Sequence, residues 1–322
     1  MPSSARMTYT DIDAFSAVFQ SPSCEFTTGR PDRFRARCTL LDFQRIGMQR
    51  VSEDIPRLGH FEIPRTHVAI SFQADPGPPI HVSGVELGAE QIGVHAPGAL
   101  VFQRVSGPTT WGTVYLPVAA LAEIGAAAGG RGLVLSPGTL VAAVPPLVLA
   151  RLRQLHAEVA ALVEAAPGVL ANPDAGRGLE QALAERFLDC LSAPERRDAS
   201  ATCQRHVGIL RKLREIAEAQ KDEPLYMLEL CAALGTSPRR LQEVCHDYLG
   251  MSPKRFLLLR RMQLVHRALS QADPLETSVT EIAMRHGFWE LGRFAVAYRS
   301  LFGVPPSRTL QRSAGSEARQ PN

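Results

Sequence analysis

The sequence has no apolar run long enough to cross a membrane. A spanning helix needs about 20 apolar residues in succession, whereas the most apolar stretch, residues 133–150, is interrupted by Pro137 and Pro145. The first residues carry Asp11 and Asp13 where a secretory signal would have its apolar segment. We therefore expect a cytoplasmic protein without a membrane partner.

The motifs of common catalytic and metal sites are missing as well. The six cysteines occur without a CxxC pair or a CxxC…HxxxH pattern, which favours reduced, buried thiols. No GxSxG, HExxH, GxxxxGKS/T or GxGxxG motif occurs in the chain. These absences predict no cofactor, no metal and no catalytic residues.

Lysine is absent from the first 204 residues. That part holds 17 arginines and 20 acidic residues, for a net charge of −3. Residues 205–313 hold 17 basic and 11 acidic residues, for a net charge of +6. A chain of 322 residues is about twice the size of a usual domain. We therefore expect two domains, of which only the basic, carboxyl-terminal one meets a polyanion.

Two patterns divide the amino-terminal part. Between residues 33 and 116, short runs rich in Val, Ile, Thr and aromatic residues are separated by Gly and Pro, as in a small antiparallel barrel or sandwich. Residues 117–192 show helical spacing. The sequence thus predicts an α+β protein with an amino-terminal domain over residues 1–195 and a linker over 196–205. One helical stripe, which packs on the barrel or forms a homodimer seam, consists of Leu152, Leu155, Val159 and Leu162.

An internal repeat lies in the basic part. The string LELCAALGTSPRRLQEVCHDYLGMSP recurs as VTEIAMRHGFWELGRFAVAYRSLFGVPP, which pairs Gly235 with Gly287 and Gly250 with Gly303. A helix, a glycine at a position that needs a positive φ, and a second helix with an apolar face form a helix-turn-helix. The helix between the copies, residues 253–270, is about 27 Å long. Such a spacer can hold two recognition helices near one turn of DNA apart.

The two predicted recognition helices have unlike free faces. The first presents polar side chains that can hydrogen-bond the edges of bases, whereas the second is mostly small and apolar and suits thymine methyl groups and phosphates. We therefore expect the first copy to supply more base discrimination. The free face of the first carries Arg239, Arg240, Gln242, Glu243 and His246, and that of the second carries Gly292, Arg293, Ala295, Val296 and Arg299. The predicted phosphate contacts are Lys254, Arg260 and Arg299.

The strings ELCAALGTSPRRLQEVCHDYLGMSP and EIAMRHGFWELGRFAVAYRSLFGVPPSRTL resemble the AraC/XylS family of bacterial transcription regulators, over Val207 to Gln311. The string GFWELGRFAVAYRSLFG is similar to the subgroup that contains the ethanolamine utilisation activator. The resemblance implies a double helix-turn-helix DNA-binding domain over residues 206–313, before a disordered tail over 314–322. In the family's pattern the base-contacting positions fall on Arg239, Arg240, Gln242 and Glu243 of the first recognition helix and on Gly292, Arg293 and Val296 of the second.

The same resemblance implies an amino-terminal domain that binds an effector and dimerises, commonly a small cupin-like β-barrel followed by helices. The expected protein is an effector-responsive activator rather than a repressor. Its expected partners are double-stranded DNA, RNA polymerase, a small-molecule effector of unknown identity and a second copy of the chain.

Four residues of the amino-terminal half are candidates for binding the effector inside the barrel. In an extended strand, Arg33, Arg35 and Arg37 share one face. They are either solvated and partly paired with acids, the favoured interpretation, or they meet an anion. His95 is either satisfied by hydrogen bonds within the barrel or points at a ligand.

The alternative function is a small-molecule-binding or metal-dependent cupin-type enzyme with an accessory DNA-binding domain. Cupin barrels often hold a metal through an HxH motif, a glutamate and a later histidine. No HxH spacing occurs among the candidate histidines, so the sequence gives this alternative no support. The histidines are His60, His67, His81 and His95.

Overall fold

The structure is a computed structural model that describes residues 3–19, 21, 23–29, 33–43, 45–127, 135–192, 201–219 and 226–317. The chain forms two units. The first comprises Met1–Thr28 and Arg33–Arg205, and the second comprises Gly29–Asp32 and His206–Asn322. Among the described residues, no helix is both long enough and apolar enough to cross a membrane.

Two antiparallel sheets form the first unit. The seven-stranded sheet has the order β1-β3-β4-β11-β6-β9-β12, and the five-stranded sheet has the order β2-β5-β10-β7-β8. Both sheets have two free ends, so the described strands form no closed barrel. The predicted strand-rich amino-terminal domain is therefore confirmed, whereas the predicted barrel closure is not found. The strands are β1 (Ser3–Tyr9), β2 (Cys24–Thr27), β3 (Ala36–Asp42), β4 (Gly47–Glu53), β5 (Arg57–Glu62), β6 (His67–Gln73), β7 (Ile80–Val82), β8 (Val85–Leu87), β9 (Gln91–His95), β10 (Leu100–Val105), β11 (Thr109–Pro117) and β12 (Thr139–Ala143).

Three of these strands lie outside the range predicted to be β-rich. Strands β1 and β2 precede residue 33, and β12 lies within the 117–192 range predicted to be helical. Strand β12 forms because it pairs with β9, with Thr139 opposite His95. A run of five residues is too short to show a period of its own, so this pairing could not be read from the sequence.

Helices cover one face of the seven-stranded sheet. Alternate residues of a strand point to opposite faces, and Leu41 and Met48 belong to the core that includes helical side chains. In this core Leu152 and Val159 are fully buried, and Leu155 and Leu162 pack against it, so the helical stripe has the core-packing role. The helices of this unit are α1 (Ile12–Val18), α2 (Val118–Ala127), α3 (Pro146–Ala165) and α4 (Pro173–Leu191), with a 3-10 turn at Pro167–Ala171.

A second core lies between the two sheets. It joins Cys38 and Val51 of the seven-stranded sheet to Phe26 and Val101 of the five-stranded sheet. At its edge Trp111 is buried and donates its indole N–H to Glu53 Oε1 at 2.5 Å. Trp111 therefore belongs to the core that the inner faces of both sheets share.

The described part of the second unit is helical. Helix α5 begins at Ala201, inside the range predicted as a linker, and α11 continues to Glu317, past the predicted domain end at residue 313. Residues 314–317 are thus helical where the sequence predicts a tail, and residues 318–322 lie outside the described residues. The helices are α5 (Ala201–Ala219), α6 (Met227–Leu234), α7 (Pro238–Leu249), α8 (Pro253–Gln271), α9 (Val279–Arg285), α10 (Leu291–Phe302) and α11 (Pro306–Glu317).

Candidate nucleic-acid interface

The helix pairs α6/α7 and α9/α10 turn at equivalent glycines. Gly235 and Gly287, after the first helix of each pair, have φ of 60° and 74°. Gly250 and Gly303, after the second helix, have φ of 69° and 74°. These left-handed values favour glycine, which lacks a Cβ, and they satisfy the last carbonyls of each helix. The predicted repeat and its need for positive φ are confirmed.

The two recognition helices begin differently. The hydroxyl of Ser237 caps α7 by accepting a hydrogen bond from the Arg240 amide at 3.2 Å. Glu290, at the same place before α10, makes no side-chain capping bond. Its carboxylate instead pairs with Arg293 Nη1 at 2.7 Å. The first turn of α10 is therefore held by an exposed ion pair rather than by a cap.

Aromatic and polar contacts fix the orientation of α10. The hydroxyl of Tyr298 donates a hydrogen bond to Thr309 Oγ1 at 2.9 Å and lies 2.6 Å from His266 Nδ1. Burial raises the pKa of Tyr298 to about 12, so the hydroxyl keeps its proton. His266 also stacks on Phe302 at 4.3 Å. Because these partners come from α8 and α11, those two helices together set the angle at which α10 presents its outer face.

The outer face of α7 carries the predicted polar readers. Arg239, Arg240, Gln242 and Glu243 are all exposed. Glu243 lies between the two arginines, with Arg239 Nε at 3.0 Å and Arg240 Nη1 at 3.6 Å. The hydrogen bond from Arg239 lowers the pKa of Glu243. Exposed pairs of this kind are weak, so both guanidinium groups are available to an acceptor such as a guanine edge.

The outer face of α10 is less polar, as predicted. Gly292, Arg293 and Val296 are exposed, and the Val296 side chain is 73% exposed. The sequence favours packing of Trp289 in the turn beside Phe288, but this prediction is wrong. Phe288 packs on the Phe294 ring at 4.9 Å, whereas Trp289 is 69% exposed. Trp289 thus joins the candidate surface, and only the fold distinguishes it from its half-buried neighbour.

Of the three predicted phosphate contacts, Lys254 and Arg299 are exposed but Arg260 is not. Arg260 is 8% exposed, and its Nη1 donates to the Arg214 carbonyl at 3.1 Å. Its Nη2 pairs with the Glu218 carboxylate. The predicted phosphate contact of Arg260 is therefore wrong, because α5 covers this guanidinium and binds both of its terminal nitrogens.

We expect Arg260→Ala to lower the free energy of unfolding by about 1–3 kcal/mol, since it leaves the Arg214 carbonyl and the Glu218 carboxylate without this donor. Urea denaturation followed by circular dichroism measures the loss. The matched control, Lys254→Ala, should leave stability within about 0.5 kcal/mol and weaken binding to all DNA sequences, with a salt slope lower by about 1. An Arg260→Ala protein of unchanged stability would contradict the structural role.

The four effector candidates do not come together in one site. Arg33, Arg35 and Arg37 are exposed and alternate with buried Phe34 and Ala36, as expected for a shared, solvated face.

His95 is 1% exposed, and its ring nitrogens lie 2.8 Å from Ser71 Oγ and 3.1 Å from Thr139 Oγ1. Burial lowers the pKa of His95 to about 3, so the ring is neutral. Because both ring nitrogens make hydrogen bonds inside the sheet, neither is available to bind a ligand. Among the described residues, no three His, Cys, Asp or Glu side chains are grouped as metal ligands.

Comparison with known proteins agrees with this geometry. Residues 230–312 match the protein family described as "Helix-turn-helix domain". Over 104 residues the chain is 41% identical to the "Probable thc operon regulatory protein" of Rhodococcus erythropolis. The matched residues make up 32% of this chain and 31% of that protein. Over 76 residues it is 41% identical to the "XylDLEGF operon transcriptional activator 1" of Pseudomonas putida, covering 24% and 23% of the two chains. The chain thus spans less than a third of the length of these relatives.

A solved structure described as a probable AraC family transcriptional regulator from Rhodopseudomonas palustris is 39% identical. The match covers 33% of this chain and 96% of that one, with a TM-score of 0.30. The class that the second unit defines is the helix-turn-helix DNA-binding domain. The family match over residues 230–312 shows this class for the carboxyl-terminal part of the chain.

Proposed function

We propose that the protein is a sequence-specific DNA-binding transcription regulator of the AraC type. The observation that carries the proposal is the repeat of one helix-turn-helix, with matched left-handed glycines and with the face of each second helix exposed. The named regulators that match this part of the chain support the same function.

In this proposal the two recognition helices read DNA by different chemistry. Arg239 and Arg240 of α7 donate to the acceptors of guanine, and Gln242 and Glu243 complete the polar face. In α10, Arg293 supplies the donor. The small Gly292 lets the helix approach closely, and Val296 contacts thymine methyl groups. Lys254 and Arg299 hold the phosphates and carry no sequence information.

The amino-terminal domain predicted over residues 1–195 is the sensing and dimerising part in this proposal, and the protein acts as an activator together with RNA polymerase. A small-molecule effector would change transcription only if it bound one arrangement of the protein better than another, typically by about 1–3 kcal/mol. The cupin-like character of the first unit and the ethanolamine-activator subgroup remain predictions.

Selection of fragments bound from the source genome, followed by footprinting, tests the proposal. Two protected major grooves on one side of the duplex are expected, about 34–36 Å apart. Failure to retard any genomic fragment at low ionic strength, or protection of a single groove, would overturn it. Genes next to the bound fragments would identify the regulated pathway.

We expect Trp289→Ala to weaken DNA binding by about 1–2 kcal/mol, because the variant loses the burial of part of an aromatic side chain against the DNA. Its free energy of unfolding should change by less than about 0.5 kcal/mol, because the side chain is largely exposed. Gel retardation and urea denaturation of the same samples measure the two effects. Phe288→Ala is the control and should lose stability, since Phe288 packs on Phe294. A large loss of stability in Trp289→Ala would place Trp289 in the fold instead.

A further inference from the structure

A cavity of about 390 Å³ lies between the two sheets of the first unit. Its volume is within the range of small-molecule sites, roughly 300–1,000 Å³. Strand β11 supplies Trp111 and Tyr115, and strand β5 supplies Phe61 and Glu62. Asp42, at the end of β3, lines the cavity with an exposed side chain and so lies at its mouth.

The inner aromatic wall is held in place before any ligand arrives. Trp111 is fixed by its hydrogen bond to Glu53, and the Phe19 ring stacks on it at 5.9 Å with an interplanar angle of 22°. Tyr115 crosses directly above Gly47, where a Cβ would fall 2.3 Å from the tyrosine ring. Glycine at position 47 is therefore needed for the tyrosine to lie as it does. The cavity presents two preorganised aromatic side chains.

The charged groups of the cavity are acidic. Asp42 and Glu62 line it, and among the described residues no arginine or lysine does. His67 also lines the cavity. Burial lowers its pKa, which keeps the ring largely neutral although Asp42 partly opposes the shift. Burial also raises the pKa of the Tyr115 hydroxyl, which therefore stays protonated. An anion would meet carboxylates here without a compensating cation, whereas an ammonium group would meet a carboxylate and aromatic rings.

We propose that this cavity binds a small amphipathic amine, with its apolar body against Trp111 and Tyr115 and its ammonium group facing Asp42. The role of this ligand as the effector rests on the proposed function. The proposal also replaces the anionic alternative raised by Arg33, Arg35 and Arg37, since none of the three lines the cavity.

Fluorescence of Trp111 in the full-length chain provides the test. The chain has two tryptophans, so Trp289→Phe leaves Trp111 as the only one. We would titrate this protein with phenethylamine, phenethyl alcohol and phenylacetate, which share one body and differ in charge. The amine should bind most tightly and the alcohol less tightly. Phenylacetate should bind at least about tenfold more weakly than the amine, because like charges face each other. Equal or tighter binding of phenylacetate, or no change of fluorescence with any of the three, would overturn the proposal.

Two substitutions locate the binding. Asp42→Asn should remove the preference for the amine over the alcohol while the alcohol binds as before. Gly47→Ala should weaken the binding of all three probes, because the added methyl group displaces the Tyr115 ring. Arg37→Ala is the control and should bind like the parent protein. A preference for the amine that survives Asp42→Asn would overturn the assignment.

DNA binding of the wild-type chain is measured separately, which keeps the two proposals apart. A protein that retards genomic fragments but binds no probe would leave the regulator intact and remove this cavity as an amine site. A protein that binds the amine but retards no fragment would support the amine site and overturn the DNA-binding function.

Discussion

Replacing Arg57 by alanine should lower the free energy of unfolding of the first unit by about 3–5 kcal/mol, the range for removing one partner of a buried ion pair. The side chains of Arg57 and Glu53 are both fully buried. Arg57 Nη2 donates to Glu53 Oε1 at 2.6 Å and to Gln103 Oε1 at 2.7 Å, and the guanidinium lies 4.4 Å from the centre of the Phe26 ring. The substitution leaves the Glu53 carboxylate buried without its cation, while the Trp111 indole N–H still donates to it.

Urea denaturation followed by Trp111 fluorescence, in the Trp289→Phe background, measures this loss in the first unit alone. Arg37→Ala, a change at an exposed arginine of the seven-stranded sheet, is the matched control and should stay within about 0.5 kcal/mol. The double change Arg57→Met with Glu53→Leu should cost less than Arg57→Ala, since it leaves no unpaired charge. A single change that costs less than the double one would contradict the role of the pair.

Replacing Arg239 or Arg240 by alanine should weaken binding to the cognate DNA site by about 1–3 kcal/mol each, if each makes a bidentate contact to a guanine. Binding to random DNA should fall much less, because phosphate contacts supply the nonspecific affinity. Stability should not change, since both side chains are exposed and the ion pairs that they make with Glu243 are exposed as well. Competition gel retardation with cognate and random duplexes, at several salt concentrations, separates the two effects.

Arg299→Ala is the matched control for these substitutions, because it removes an exposed arginine from the other recognition helix. It should weaken binding to both duplexes together and lower the salt slope by about 1. Equal losses on cognate and random DNA for Arg239→Ala and Arg240→Ala would remove both residues from the base-reading role.

The carboxyl-terminal architecture could be predicted because its determinants are local. A left-handed glycine after each helix and apolar residues at positions i, i+3, i+4 and i+7 specify the helix-turn-helix without distant partners. Leu241, Val244 and Tyr248 are buried in α7, and Phe294 and Tyr298 are buried in α10, as this spacing predicts.

The errors arise where a distant segment decides the outcome. Arg260 lies on a helix with a solvated pattern, but Glu218 and the Arg214 carbonyl of α5 enclose it. Trp289 and Phe288 are adjacent aromatic residues, and only the position of Phe294 determines which of them packs.

The cavity depends on the register of several strands, which composition does not specify. Tyr115 of β11 lies opposite Gly47 of β4 and Ala69 of β6. On the other side of β4, Asp42 of β3 also lies opposite Gly47. These pairs bring residues 42, 47, 69 and 115 into one row across four strands. The sequence therefore could not have selected Asp42 or Tyr115 as a candidate, whereas the pairings place them together.

The hydrogen bond between Trp111 and Glu53 makes the two ends of the cavity unequal in stiffness. Rotation of the Trp111 side chain away from the cavity would remove a hydrogen-bond donor from the buried Glu53 carboxylate, at a free-energy cost of about 1–3 kcal/mol. The opposite side includes Ser3 and Ser4 of β1, an edge strand that pairs with one neighbour only. A homologous series of ligands should therefore reach an abrupt size limit when it lengthens toward the indole, and should tolerate branching at the amine.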